Sequence, residues 1–301
     1  MSDRNALASV VLSPMISLVA LCAPIGAARA DDLPPLPGRG GDDGDGERDR
    51  SWEMPALHVQ NTPPAALKEE ELVGGYRQPR WTATRRFTTT RAYVVPEGKV
   101  EVELWGRATV EDDAVKYRFL EEIEVGLPYR FQIDFYVRQD LVDLETDGAG
   151  VAAQFELRWA LADWGRIWGN PTLYLEYILK DGAPDVIEPK LLLSGELAQG
   201  WHAALNLTLE HELSGGYERE LGVRGGLSYS LVDSRLGLGV EGVLNAVDVE
   251  GARGDFAWEV FLGPSLQWKP VDPLTINLVP LFGVLADGPI AQLYLNLGVE
   301  I

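Results

Sequence analysis

Cysteine is almost missing from this chain of 301 residues: Cys22 stands alone, inside an apolar N-terminal stretch. With no second thiol, disulfide frameworks and cysteine metal sites are excluded together. Histidine is nearly as scarce. His58, His202 and His211 are the three present, too dispersed to suggest a metal set, and no metal or other cofactor is expected. Positive charge is also short, with 26 Lys and Arg against 46 Asp and Glu, a net charge of −20. Such a chain lacks the basic patches that nucleic acid requires, and it is poorly suited to simple adhesion on an anionic membrane surface. Beyond the N-terminus no stretch reaches the roughly 18 apolar residues of a membrane-crossing helix. Phosphate-binding glycine loops are missing too. "GGLSYS" and "LGLGVEG" read as strand glycines that permit close packing or bulges.

What is present begins with "MSDRNALASVVLSPMISLVALCAPIGAARADD", which has the layout of a secretory signal peptide. Arg4 lies in the leading region, an apolar stretch spans about 8–27, and Ala28-Arg29-Ala30 offers cleavage near Ala30. Pro14, Pro24 and the acidic, Pro-rich sequel argue against a retained membrane anchor. Leu21 stands before Cys22, where lipidation needs a small residue. Residues 31–75 are rich in Asp, Gly and Pro and are expected to form a disordered periplasmic tail, with room for a short helical turn in "PPAALKEEELVGG". Residues 76–98 form an arm containing "RQPRWTATRRFTTTR". It carries Arg77, Arg80, Arg85, Arg86 and Arg91, and that stretch has no acid.

From about Val100 the texture becomes one repeated theme of alternating segments, about ten residues long and separated by turns. That is the pattern of tilted strands crossing a bilayer as a closed barrel. Strands are expected near 99–110, 116–126, 130–139, 151–161, 171–179, 186–197, 201–212, 219–231, 235–246, 256–268, 274–284 and 290–301. The expected fold is therefore all-β, a transmembrane antiparallel up-and-down barrel of 12 strands over residues 99–301, with both termini periplasmic. Outward rows such as Phe131, Ile133, Phe135 and Val137, or Trp201, Ala203, Leu205, Leu207 and Leu209, would meet outer-membrane lipid. Short connections ("GLPYR", "AQG", "VDS", "KPVDP") alternate with more polar ones ("QDLVDLETDGAG", "LSGGYERE", "VDVEGARGD"). Tyr129, Trp159, Trp164, Trp168, Trp201, Tyr229 and Trp268 collect near the short turns, as an interfacial belt would. Pro189, Pro264 and Pro280 fall inside strands and imply bulges. Glu121 falls on the lipid face and implies another near Leu120, and Trp105 falls on the lumen face.

The final segment, "AQLYLNLGVEI", alternates to its last residue and fits a strand that closes the barrel. It is similar to the C-terminal signal read by the barrel-assembly machinery, with Ile301 where that signal usually has Phe. "TTTRAYVVPEGKVEVELWG" and "YRFLEEIEVGLPYRFQIDFYV" resemble the start of barrels in the phenol-degradation-pathway family of outer-membrane proteins. The resemblance covers about residues 85–301 and implies a channel or transporter in a Gram-negative-type envelope, with no catalytic residues to carry over. A barrel hydrolase needs His and Ser two apart on one strand, but "HELS" sets Ser214 three residues after His211, on the opposite face. No catalytic residue is assigned, and the chain reads as a non-enzyme.

What remains is the lumen. Its expected acids are Glu101, Glu103, Glu122, Glu124, Asp134, Glu156, Glu176, Glu188, Glu196, Glu210, Glu212, Glu241, Glu259 and Glu300. Its expected bases are Arg107, Lys116, Arg118, Arg138, Arg158, Lys190, Arg224, Arg235 and Lys269. Acids prevail, so an open pore would pass small polar or amphipathic solutes, aromatic ones included, with a weak preference for cations. The alternative is an interlocked ion-pair network that fills the barrel and leaves a structural or interaction protein. The arm likewise has two readings. It is a solvated linker, or it folds into the periplasmic mouth, its arginines on Glu101, Glu124 and Glu196 and Trp81 and Phe87 wedged against the wall.

Overall fold

The structure, a computed structural model, describes residues 66–301, apart from the side chains of residues 146–148. The segment read as a signal peptide and residues 31–65 of the expected tail lie outside the described residues. A two-stranded ladder of β1 (Leu72–Val73) and β2 (Gln78–Pro79) comes first. Twelve barrel strands follow: β3 (Val100–Val110), β4 (Val115–Leu127), β5 (Phe131–Val142), β6 (Glu145–Ala160), β7 (Thr172–Lys180), β8 (Val186–Ala198), β9 (Trp201–Glu212), β10 (Arg219–Val232), β11 (Leu236–Asp248), β12 (Ala257–Val271), β13 (Leu274–Gly283) and β14 (Ala291–Glu300). Each pairs antiparallel with its sequence neighbour, and β14 closes on β3 from Ala291 opposite Val110 to Glu300 opposite Glu101. Closure leaves no free edge, the condition for strands to sit in hydrocarbon, where an unpaired amide has no water to bind.

The period-two pattern of the sequence becomes the two faces of the wall. In β7, Thr172, Tyr174, Glu176 and Ile178 are buried, while Leu173, Leu175, Tyr177 and Leu179 are exposed. The outward rows of β5, β6, β9 and β13 are the apolar sets expected from sequence, with Phe155, Leu157 and Phe282 among the most exposed. No helix among the described residues is long and apolar enough to cross a membrane. A continuous apolar band on a closed barrel is far larger than the exposed patches water-soluble proteins tolerate, and it suits lipid.

Several local expectations are corrected. The register between β3 and β4 runs unbroken from Val100 opposite Val125 to Val110 opposite Val115, so there is no bulge near Leu120. Glu121 does stand in the outward row, half-buried beside Leu104 and Val137. The three strand prolines do not shift the register either. Pairing between β8 and β9 pauses from Ile187 to Lys190, around Pro189, and resumes in step. Between β12 and β13 it pauses from Leu262 to Leu266, where Pro264 and Pro280 face one another without amide donors. Each proline removes ladder bonds locally, and the flanking apolar rows hold the strands in place. The connection expected across "QDLVDLETDGAG" is instead a tall hairpin: β5 and β6 continue to a turn at Asp143 and Leu144, both at positive φ. Of the aromatics near the short turns, Tyr129, Trp159, Trp168, Trp201, Tyr229 and Trp268 are exposed. Trp164 is turned inward and packs against buried aromatic residues.

The exterior can be tested at mid-strand. Leu207→Arg puts a guanidinium in the apolar row of β9 and should cost roughly 2–4 kcal/mol of stability in lipid vesicles, as read by urea titration. An unchanged midpoint would mean that this face does not meet hydrocarbon.

Candidate functional site

Inside the barrel lies the arm. The described residues begin at Ala66, about ten residues upstream of the arm's expected start, and residues 66–75, expected to belong to a disordered tail, are structured. The Pro96-Glu97-Gly98 turn directs the chain back into the lumen. Gly98 has a φ of 78°, and its amide donates to the Gly126 carbonyl at 2.9 Å. Gly126 must lack a side chain, because a Cβ there would stand 2.1 Å from the Pro96 carbonyl oxygen. Tyr76, Tyr93 and Val94 then pack with Ala160, while Trp81, Phe87 and Ala92 pack with Ala204, and Trp164 bridges both groups. Tyr76 donates its hydroxyl proton to Glu97 at 2.7 Å or to the Leu127 carbonyl at 3.1 Å. Gln78 donates to the Val94 carbonyl at 2.8 Å, tying the two limbs of the arm together. Phe87 sits over Gly226, where an added Cβ would come within 2.4 Å of its ring.

The arm's charges decide where it seats. Arg85 donates through Nε to both oxygens of Glu103, at 2.9 and 2.8 Å, and its Nη2 lies 3.4 Å from Glu122 and 3.3 Å from Glu124. Its guanidinium also stacks 3.9 Å over the Trp105 ring. Arg91 reaches the same three carboxylates, Glu103, Glu122 and Glu124. These acids are inaccessible to solvent. Burying three carboxylates is tolerable only with cations among them, and two guanidinium forks supply this. Arg86 is held differently, donating to Ser228 and Ser230 at 2.8 Å each, to Gln267 at 3.1 Å and to Glu69 at 3.3 Å. Thr88 and Thr89 donate their amides to Glu241 at 3.1 and 2.6 Å, and the Thr89 hydroxyl adds a third bond. Val95 donates to Gln132 at 2.6 Å. With its oxygen turned to the Arg91 amide, Asn206 pairs with both backbone groups of Arg91 at 2.9 and 3.0 Å.

The expected partners are partly revised. Glu124 does take arm arginines, but Glu103 and Glu122 join it, and Glu101 forms no hydrogen bond. Glu196 instead accepts from the Trp81 indole at 2.7 Å. Arg77 is exposed, and Arg80 pairs with Glu71 within the arm at 2.9 Å, so only Arg85, Arg86 and Arg91 enter the lumen. His202, expected to stand alone, is bound to Glu69 at 2.9 Å and stacks on Trp81 with ring centroids 4.5 Å apart. Burial pushes the Glu69 carboxyl up, but bonds from His202 and Ser230 and the charge on Arg86 outweigh it and hold Glu69 below the usual carboxylate range. Its contribution to docking is therefore complete above that range and is lost as pH falls through the lowered value.

The barrel wall adds its own network. Arg158 pairs with Asp134 at 3.0 Å, with Glu156, and with Glu124 at 3.8 Å. Lys190 joins Glu176 at 3.3 Å and Glu188 at 2.9 Å. Glu103, Glu122 and Glu124 converge closely enough for a cation, as do Glu122, Asp134 and Glu156. Arg85, Arg91 and Arg158 already stand in those roles. Lys116 pairs with Glu111 beside the β3–β4 turn, and Arg235 with Asp272 at an exposed turn, so neither belongs to this network. His211 stacks with Tyr217, and Ser214 lies in the connection beyond β9.

Above the arm is a cavity of about 210 Å³. Arg85, Thr88, Thr89 and Arg91 form its floor. Of the lumen residues singled out from sequence, Arg107, Arg118, Glu122, Arg138, Arg158, Glu176, Glu188, Lys190, Glu210 and Arg224 line it, while Glu124, Asp134, Glu156 and Glu241 are among those that do not. Trp105, Tyr136, Tyr174 and Tyr294 also line it, and sequence reading assigned them no role. Eight basic side chains line the wall (Arg85, Arg91, Arg107, Arg118, Arg138, Arg158, Lys190 and Arg224) against the four acids Glu122, Glu176, Glu188 and Glu210. The acid excess counted from sequence is thus absorbed around the arm, and the accessible wall has the opposite sign.

Seating of the arm can be tested at Phe87. Gly226→Val should displace the ring, and the arm should become cleavable by trypsin at Arg85 and Arg86 in the folded barrel. Phe87→Ala in the same chain should restore much of the protection. Equal cleavage of the parent and Gly226→Val would show that the contact does not hold the arm.

No family model and no curated protein matches the chain. Solved structures do. The COG4313 outer membrane channel from Pseudomonas putida F1 is 12% identical over 72% of this chain and 100% of that one, with a TM-score of 0.51. The KdgM porin is 11% identical over 66% and 97%, with a TM-score of 0.45. The NanC porin is 11% identical over 67% and 98%, also at 0.45. The first of these likenesses supports the fold, a closed antiparallel β-barrel.

Proposed function

We propose that this chain is an outer-membrane channel or facilitator for small polar or amphipathic solutes, with its periplasmic mouth held shut by residues 66–98. The observation that carries this reading is a charged lumen with a cavity on one side of an inserted arm. A barrel built only for rigidity could fill that space with side chains. The arm is held mostly by polar and ionic bonds to the wall, which water can replace as it leaves, so the plug can be released without unfolding the barrel. The apolar exterior and its aromatic rim support placement in the outer membrane. On this reading the chain is exported after cleavage near Ala30, and its C-terminal strand engages the barrel-assembly machinery. Both termini are periplasmic, the barrel acts without a catalytic site, and the similarity to the phenol-degradation-pathway family extends to aromatic solutes. A second reading has one observation in its favour: Arg85 and Arg91 are locked to Glu103 and Glu122 inside the lumen, as a permanently closed structural barrel would require.

Two measurements decide between them. Deleting residues 31–91 while keeping the signal segment should raise single-channel conductance and shift selectivity toward cations, because Glu103, Glu122 and Glu124 lose their guanidinium partners and face water. Arg85→Glu with Arg91→Glu should have the same effect. If the shortened barrel inserts normally and conducts like the parent, the arm does not close the pore. For orientation, a tag in "DLETDGAG" or "GYERE" should be reachable on intact cells and one in "AQG" or "KPVDP" should not. The reverse pattern would invert the topology.

A further inference from the structure

Most cations of the lumen lie against a carboxylate; Lys269 donates to the Thr84 hydroxyl instead, and Arg107 has neither. Among the described residues it makes no ion pair or hydrogen bond, and its guanidinium carbon lies 6.0 Å from the centroid of the Tyr294 ring. It is directly opposite Arg118 across the β3–β4 ladder, and like charges in that position repel. Arg118 does have a carboxylate: its Nε donates to Asp140 at 2.6 Å. Asp140 is shared, however, because Arg138 also donates to it, at 2.8 Å through Nε and 2.7 Å through Nη2. Two guanidinium groups therefore share one carboxylate, a third stands opposite one of them in the ladder without any, and all three line the cavity. Beside them lie Leu120 and Tyr294, a flat apolar surface next to a positive one.

Three cations with one carboxylate among them leave positive charge unbalanced at the cavity wall, a cost that an anion bound there would remove. Planar guanidinium forks bind carboxylates bidentately, which a lysine in the same place would do less well. The cavity, at about 210 Å³, exceeds the roughly 150 Å³ that holds benzene in an engineered protein cavity. A solute with one ring and one carboxylate fits both the space and the charge.

We infer that Arg107, Arg118 and Arg138 form a binding site for small organic carboxylates, with the carboxylate on the Arg107 guanidinium and the body of the solute against Tyr294 and Leu120. This deepens the channel reading and rests on it for the solute's route. It reverses the weak cation preference expected from the lumen's overall composition, because the acids behind that expectation are bound to the arm.

The test is calorimetric, so that binding is read whether or not the pore conducts. The full chain in lipid nanodiscs is titrated with benzoate and with benzamide, its uncharged analogue, against protein-free nanodiscs. Benzoate should bind and benzamide should not, and raising salt should weaken the binding. Arg107→Gln should lower benzoate affinity tenfold or more, and Arg107→Lys should lie between it and the parent. Arg107→Gln removes a repulsion and breaks no bond, so barrel formation, checked by heat-shifted migration on a gel, should be unaffected. Equal binding of benzamide and benzoate, no binding of either, or an Arg107→Gln variant that binds benzoate like the parent would each overturn the site. Conductance of the same preparations tests the channel reading separately.

Discussion

Three glutamates on two neighbouring strands set the terms for the whole interior. Glu103 and Glu122 are opposite one another in the β3–β4 ladder, and Glu124 lies one inward position further along β4. All three are fully enclosed. Left to themselves they would either take up protons or draw in water, because an isolated buried carboxylate is among the most costly groups a fold can hold. The structure answers with a segment from outside the barrel. Arg85 and Arg91 provide the counter-charge, and everything needed to bring them there follows: the tight turn at Pro96, the glycine at 126, the aromatic packing of Trp81 and Phe87, and the bonds from Glu241 to Thr88 and Thr89. The arm is thus an ionic part of the barrel that arrives through its mouth.

This division of charge also sets the polarity of the remaining space. An acidic wall with a basic insert is nearly balanced at the insert and keeps whatever bias lies beyond it. Beyond the arm the ladder pairs Arg107 with Arg118, and the only nearby acid bonded to either, Asp140, is shared with Arg138. Total composition and local field therefore point in opposite directions. A solute entering the cavity meets the local field, since the paired charges below are close together and largely cancel at a distance.

Much of this architecture was legible in the sequence because a barrel strand has only one degree of freedom that matters, the choice of inward and outward face. Outward rows such as Trp201, Leu205 and Leu207 carry no ambiguity, and once β9 is read its neighbours follow in alternation. Prolines misled for the same reason. Pro264 and Pro280 looked like register breaks one at a time, but they face one another, and that cancellation exists only when two strands are placed side by side. Trp105 looked misplaced on a polar face until Arg85 was found stacked on it. The candidate site was legible in part: which side chains point inward follows from period two, whereas which inward charges find each other depends on a segment with no period at all. Nothing in "ALKEEELVGG" announces that Glu69 would bind His202 and Arg86. The five arginines and lack of acid in residues 77–91 did mark that stretch as the partner of an acidic wall, though not which three would enter.

The strength of the arm's attachment bears on what it can do. A buried ion-pair network is weak support for stability, because the energy of desolvating its charges rivals the attraction between them. Its usual advantage is specificity of position: two forks that must satisfy three carboxylates allow few registers. The apolar part of the contact has two groups, Tyr76, Tyr93 and Val94 on Ala160 and Trp81, Phe87 and Ala92 on Ala204, bridged by Trp164. Much of what the arm would lose on leaving, water entering the lumen would replace, since carboxylates and guanidinium groups are well solvated. The wall does not depend on it in the same way, because the strand ladder closes on itself between β14 and β3 and needs no contribution from the interior. The ring is thus closed by its own ladder, while the arm is set in position inside it by charge.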